Sequence, residues 1–240
     1  MFLQGIKEES MKAKNKLLTL LILSAGAAVT TAGINKAIQF SAVSKNLLAE
    51  PEPLCFKWRL GNVYYTKEGT GKPLLLIHDL DTCTSGYEWK QLIPFLSSKY
   101  TVYTIDLLGF GRSEKANMTY TNFLFVQLIS DFIKSEIGHR TSIITSGEAA
   151  SIPLMACANN PDLFDQIMAI NPLSLLDFSS IPGKTAKMYK CMIELPIIGT
   201  LLYNIASSKK MIMEELITKK LFNPYSAKSS YVDACYEAAH

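Results

Sequence analysis

The stretch TVYTIDLLGFGRSEK (residues 101–115) opens on TVYTIDL (101–107), an apolar run too short for a helix. A run of that kind is what a strand covered on both faces requires. Upstream, PLLLIHD (73–79) is a second such run. Before it, FKWRL and NVYYT are joined by a short turn containing Gly61 and read as a β-hairpin. Downstream, SIITS (142–146) and QIMAIN (166–171) complete a set of four buried strands.

The intervening segments have helical spacing. Leu124, Leu128 and Phe132, with Phe125, Ile129 and Ile133 beside them, make an apolar stripe, and Gln127, Ser130, Asp131 and Lys134 take the other face. Thr121 is placed to cap the start of this helix and Gly138 its end. Residues 89–96 read as a shorter helix and 149–159 as another, in which Pro153 must sit near the first turn or introduce a kink. Alternation of this sort predicts an α/β fold with a mostly parallel sheet and helices on both faces. Residues 173–240 show no strand pattern, only helical pieces separated by Pro182, Pro196, Gly199 and Pro224.

Two hundred and forty residues, 48% apolar and 19% charged, are ample for a buried core. Six lysines (Lys7, Lys12, Lys14, Lys16, Lys36, Lys45) against Glu8, Glu9 and Glu50 place the whole net charge of +3 in residues 1–50. The remainder balances to zero, which leaves no basic field for nucleic acid. The five cysteines lie far apart, without a C-x-x-C pair or a histidine at ligand spacing, so no metal site and no cofactor is expected. Nineteen uncharged residues, LLTLLILSAGAAVTTAGIN (17–35), are long enough to span a bilayer. They read as an uncleaved transmembrane anchor, a cleaved signal segment or a buried core helix. The lysine bias favours a basic cytoplasmic leader at 1–16 and a single-pass membrane protein whose bulk lies outside the cytoplasm. A linker over 36–55 then leads to the main domain.

The order of these pieces resembles the α/β-hydrolase fold. DLLGFGRS (106–113) carries the resemblance most specifically, matching the family's D-x-x-G-x-G-x-S block, and LLLIHD, the long helix and AINP fall in the family's sequence. The resemblance covers residues 56–240 and implies a partial core over 56–172 with a helical lid over 173–240. It further implies that the chain stops before the family's late strands, so that their carboxylate and histidine are not in it. His78 stands where the family has the histidine of a His-Gly pair, and Asp79 replaces the glycine. The amides of Leu80 and Glu148 correspond to the family's two oxyanion donors.

The G-x-S-x-G elbow falls on Thr145, Ser146, Gly147, Glu148 and Ala149, which places Gly147 at the nucleophile position. A glycine there has no side chain with which to form an acyl intermediate. Ser146 is a weak substitute, because a shift of one place on a strand turns the side chain to the other face. His78 reads either as a general base or as a buried, backbone-bonded histidine. The carboxylate of Glu148 reads either as a group that polarises water or as a solvated residue at a helix start. Ser113 reads as a residue supporting its loop. Met188, Met192, Met211 and Met213 either line an apolar groove or fill core space. The expectation is a membrane-anchored α/β-hydrolase-fold protein without serine chemistry, with a small apolar ligand beneath the lid as a possible partner. The alternative is an active hydrolase of ester or other acyl substrates, with an atypical nucleophile and a further carboxy-terminal segment.

Overall fold

A computed structural model describes residues 2–173, 183–221, 223 and 227–240, with side chains in the first helix described at Thr19 and from Ile22 onward. Six strands, β1 (Leu54–Trp58), β2 (Gly61–Glu68), β3 (Lys72–Ile77), β4 (Tyr100–Ile105), β5 (Thr141–Ser146) and β6 (Phe164–Ile170), form one sheet in the order β1-β2-β4-β3-β5-β6. The hairpin β1/β2 and the pair β2/β4 are antiparallel, while β4, β3, β5 and β6 run parallel. The expected mostly parallel sheet is therefore mixed, with the hairpin at one edge.

Leu75 and Ile77 in β3, Tyr103 and Ile105 in β4 and Ile143 in β5 pack against the helix α3 (Asn122–Phe132), whose whole apolar stripe is buried. Leu74, Leu76 and Val102 take the opposite face with Trp89 and Ile93, so β3 is covered on both sides as its continuous apolar run requires. The Thr121 hydroxyl accepts a hydrogen bond from the Leu124 amide, and Gly138 ends the helical segment in the left-handed conformation at φ 73°. Ser130, expected on the solvent side, is buried and donates its hydroxyl proton to the Val126 carbonyl, which satisfies it inside the helix.

The helix expected over 89–96 is split into a 3₁₀ turn at Gly86–Trp89 and a short α2 (Ile93–Leu96), because Pro94 is tolerated only in a first turn. By the same rule Pro153 is the third residue of α4 (Ser151–Asn159), which follows a 3₁₀ turn at Gly147–Ala150. β6 was expected to be buried, but it is an edge strand. Met168 is 60% exposed and Ile170 43%, since among the described residues only β5 pairs with it.

Contacts divide the chain into two units, Met1–Ser44 with Pro182–Ala206, and Lys45–Ile181 with Ser207–His240. In the first unit, α6 (Ile198–Ala206) packs against both α1 (Phe2–Val43) and α5 (Lys184–Ile193). Asn35 donates to the Ile197 carbonyl and accepts from the Asn204 side-chain amide. The transmembrane helix expected over 17–35 is not supported, because among the described residues no helix is long and apolar enough to cross a membrane. The described part of that stretch is diluted by Gly26, Gly33, Thr30 and Thr31, and the two threonine hydroxyls are bonded back to the carbonyls of Gly26 and Ala27. The expected linker is helical as far as Val43 and enters β1 at Leu54.

The second unit contains the sheet together with α7 (Lys209–Glu215), a π turn at Leu216–Lys220 and α8 (Ser229–Ala239). The region expected as one lid is thus shared between the two units. Gly199, expected as a break, lies inside α6, and Pro182 and Pro224 lie outside the described residues.

Candidate functional site

Chain order reverses direction between β3 and β5: the chain leaves β3 toward β4 on one side and returns to β5 on the other. A parallel sheet opens a crevice beyond the carboxyl ends of its strands at such a point. Ile77 of β3 stands opposite Thr145 of β5, so Asp79 and Gly147, each two residues further on, arrive side by side.

Gly147 has φ +55°, a left-handed conformation that glycine adopts without cost. A Cβ built on it would lie 2.3 Å from Asp79 Oδ1 and 2.6 Å from Oδ2. The Asp79 carboxylate therefore occupies the space into which a side chain at Gly147 would project. Its Oδ1 accepts hydrogen bonds from the amides of both Leu80 and Glu148, each at 2.8 Å. These are the two amides expected to hold an oxyanion, and here they hold the chain's own carboxylate.

Lys220, in the π turn after α7, lies 3.6 Å from Asp79 Oδ2 and 2.5 Å from Asp81 Oδ2. Burial pushes the Asp81 carboxyl up, but the hydrogen bond and charge of Lys220 outweigh it and hold the group below the ordinary carboxylate range. Burial likewise lowers Lys220, and the bond to Asp81 more than reverses that, leaving the ammonium raised. The Glu148 carboxyl, at the surface, is raised by desolvation and by the charges of Asp79 and Asp81. Three carboxyl groups and one ammonium thus share the mouth of the crevice.

His78 is fully buried. Its Nε2 accepts from the Leu107 amide at 3.0 Å, which places the ring proton on Nδ1, 2.7 Å from the Asp79 carbonyl. Both ring nitrogens are engaged by backbone, the arrangement of a packed, backbone-bonded histidine. Ser146 ends β5, is 7% exposed, and its Oγ has no hydrogen-bond partner among the described residues. Ser113 accepts from the Tyr64 amide and donates to the Asp106 carbonyl, the supporting part expected of it. Asp106 ties the adjoining loop by accepting from the amides of Gly86 and Arg112, and a Cβ at Gly111 would stand 2.4 Å from its Oδ2.

No family model matches the chain. Over 114 residues, 47% of its length, the chain is 27% identical to the 2-hydroxy-6-oxo-6-(2'-aminophenyl)hexa-2,4-dienoic acid hydrolase of Metapseudomonas resinovorans, of which the match covers 39%. Over 110 residues, 45% of its length, it is 27% identical to a soluble epoxide hydrolase of Corynebacterium, of which the match covers 37%. The chain spans about two fifths of the length of these relatives. Among solved structures, the epoxide hydrolase of Vigna radiata superposes with a TM-score of 0.63 at 17% identity, covering 78% of this chain and 66% of that one. The chain has the α/β-hydrolase fold.

Within this α/β-hydrolase fold, the carboxylesterase CesB of Bacillus subtilis covers 87% of the chain and is covered over 67% of its own length, with a TM-score of 0.58 at 16% identity. The structure brings Leu80, Gly147 and Glu148 together around the Asp79 carboxylate, with His78 and Ser146 the adjoining residues of the two segments. The part played by Asp79, Asp81 and Lys220 escaped the sequence reading. Asp79 was visible as an aspartate in place of the family's glycine, but Lys220 carries no motif and reaches the site only through tertiary packing. Among the described residues no group of acidic, histidine or cysteine side chains is arranged to hold a metal ion. Of the methionines, Met213 packs on the apolar cluster of α7 and α8, whereas Met188, Met192 and Met211 are exposed.

In the same unit, a cavity of about 250 Å³ is lined by Tyr64, Tyr87, Ile93, Pro94, Thr104 and Arg112 among others, and shares no residue with the Asp79–Gly147 pair. The Thr104 hydroxyl and Arg112 Nη1 are buried and lack hydrogen-bond partners among the described residues.

Proposed function

We propose that this chain is an α/β-hydrolase-fold protein that performs no serine-type acyl transfer and works as a small-molecule binding module. The observation that carries the reading is the Asp79 carboxylate, which takes both the Leu80 and Glu148 amides through one oxygen. Acyl transfer at an elbow needs a nucleophilic side chain and donors free to receive the negative oxygen that develops in the transition state. Gly147 supplies no nucleophile, and the two donors already face an anion. His78, bonded to backbone through both nitrogens, is not available to activate a shifted nucleophile at Ser146.

The cavity beside Tyr87 and Arg112 supports the binding role. Its lining mixes apolar side chains such as Ile93 and Pro94 with polar ones such as Tyr64 and Tyr87, the usual make-up of a small-molecule site. A fluorophosphonate probe followed by intact mass spectrometry tests the reading. Unmodified protein is the expected result, and a stoichiometric adduct mapped to Ser146 would instead favour the hydrolase activity for which the relatives are named.

A further inference from the structure

The unit formed by Met1–Ser44 and Pro182–Ala206 is built inside out. Among its described residues only Asn35, Ala42, Gly199 and Asn204 are buried: two asparagines, an alanine and a glycine. Asn204 donates to the Asn35 side chain, which in turn donates to the Ile197 carbonyl, so these polar groups find their partners inside the unit.

The large apolar side chains face outward. Ile22, Val29 and Phe40, spaced seven and eleven residues apart, share one face of α1 and are 63%, 73% and 76% exposed. Leu23 and Ile34 are exposed on the flank of that face, and Ile198 and Ile205 are exposed on α6. α5 buries no residue at all. Met188, Tyr189, Met192 and Ile193 make an exposed apolar side, and Lys184, Lys187 and Lys190 make the other.

A helix surrounded by water turns its apolar stripe toward the core. In lipid that drive is absent, and helices meet through small residues and interhelical hydrogen bonds while their large apolar side chains face the acyl chains. The exposed apolar residues lie on all three helices and on more than one side of α1, which a surrounding medium covers more completely than a single docked protein. Charge names the medium. Eight lysines against three glutamates give the unit a net charge of +5, which leaves −2 for the rest of a chain whose total is +3. Each lysine close to an anionic membrane surface strengthens binding about fivefold.

We propose that this unit binds the surface of a bilayer containing anionic lipids. α5 lies in the plane of the interface, its apolar side among the acyl chains and its lysines at the headgroups. Lys36, on the same face of α1 as Val29 and Phe40, reaches the headgroups along its own apolar stem. No crossing is required: among the described residues no helix is long and apolar enough to cross a membrane.

The test floats the full chain with vesicles of phosphatidylcholine alone, or of equal parts phosphatidylcholine and phosphatidylglycerol. Flotation with the mixed vesicles is expected, with weaker binding to the neutral ones and a bound fraction that falls as salt is raised. Lys184→Gln, Lys187→Gln and Lys190→Gln together should weaken binding to the mixed vesicles by about a hundredfold. Met188→Ser with Met192→Ser should weaken binding to both kinds. All five side chains are exposed, so the packing of the unit is spared. Failure of the unsubstituted chain to float with the mixed vesicles overturns the proposal, as does flotation that neither set of substitutions weakens. A chain that ignores vesicles, sediments as a dimer and becomes a monomer with Met188→Ser and Met192→Ser would overturn it in favour of a second copy on this face.

Discussion

Replacing Gly147 with serine restores the side chain that an elbow ordinarily carries, and the structure sets the cost of doing so. Two terms add. At φ +55°, a residue with a Cβ is disfavoured by about 1–2 kcal/mol relative to glycine. The Cβ would also stand 2.3 Å from Asp79 Oδ1, so the carboxylate must leave and its bonds to the Leu80 and Glu148 amides are lost. A hydrogen bond to a charged group contributes about 1.5–3 kcal/mol when buried. Asp79 is a fifth exposed and its freed amides can be hydrated, so about 1–2 kcal/mol for the pair is the better figure.

Gly147→Ser should therefore destabilise by about 2–4 kcal/mol. Asp79→Gly removes the obstruction and loses the same two bonds. In the double variant only the backbone term of the serine substitution remains, and the cycle should show a coupling of about 1–2 kcal/mol. Urea unfolding of the four proteins, with equal slopes, measures it. Additivity within about 0.5 kcal/mol would refute the placement of Asp79 against Gly147, as would an unchanged midpoint for Gly147→Ser.

Three further outcomes follow from the same unit. Asp81 has a lowered folded value, so the stability from its bond to Lys220 is present above the ordinary aspartate value near 4 and is lost as pH falls through the lower folded one. Lys220→Met should thus melt below the parent protein at neutral pH, with the gap closing under acid conditions; a gap independent of pH would contradict the pairing. Thr104→Val should raise stability by about 1 kcal/mol in thermal unfolding of the unliganded protein, because the hydroxyl it removes is buried and unpartnered. A loss of stability there would mean that the hydroxyl has a partner. Glu237→Ala leaves the amides of Leu47 and Leu48 without their acceptor and should cost about 1.5–3 kcal/mol, read as earlier proteolytic cleavage of α8. Cleavage at the parent rate would argue against that anchor.

Much of the second unit was legible because local signals and tertiary packing ask for the same thing. The run Leu74–Leu75–Leu76–Ile77 can be satisfied only by a strand with cover on both faces, and it has that cover. Thr121 and Gly138 delimit a helix whose stripe has one place to go. The reading failed where periodicity says nothing about neighbours. QIMAIN is apolar enough for a central strand, yet its burial depends on what pairs with its far edge. The uncharged stretch at 17–35 reads as a membrane anchor, a signal segment or a buried helix, while Asn35 finds its partners in α6 and the residue preceding it.

At the site, the pattern of glycines and small residues around DLLGFGRS and TSGEA was enough to place the strands and the bend at Gly147, because these are properties of backbone conformation and spacing along one segment. That an aspartate from the neighbouring loop fills the vacancy, takes both amides and is approached by Lys220 was settled only in three dimensions. A hydrogen bond depends on where two atoms meet, and Glu148 and Lys220 come from separate stretches of chain that only the packed fold brings within 4 Å of Asp79.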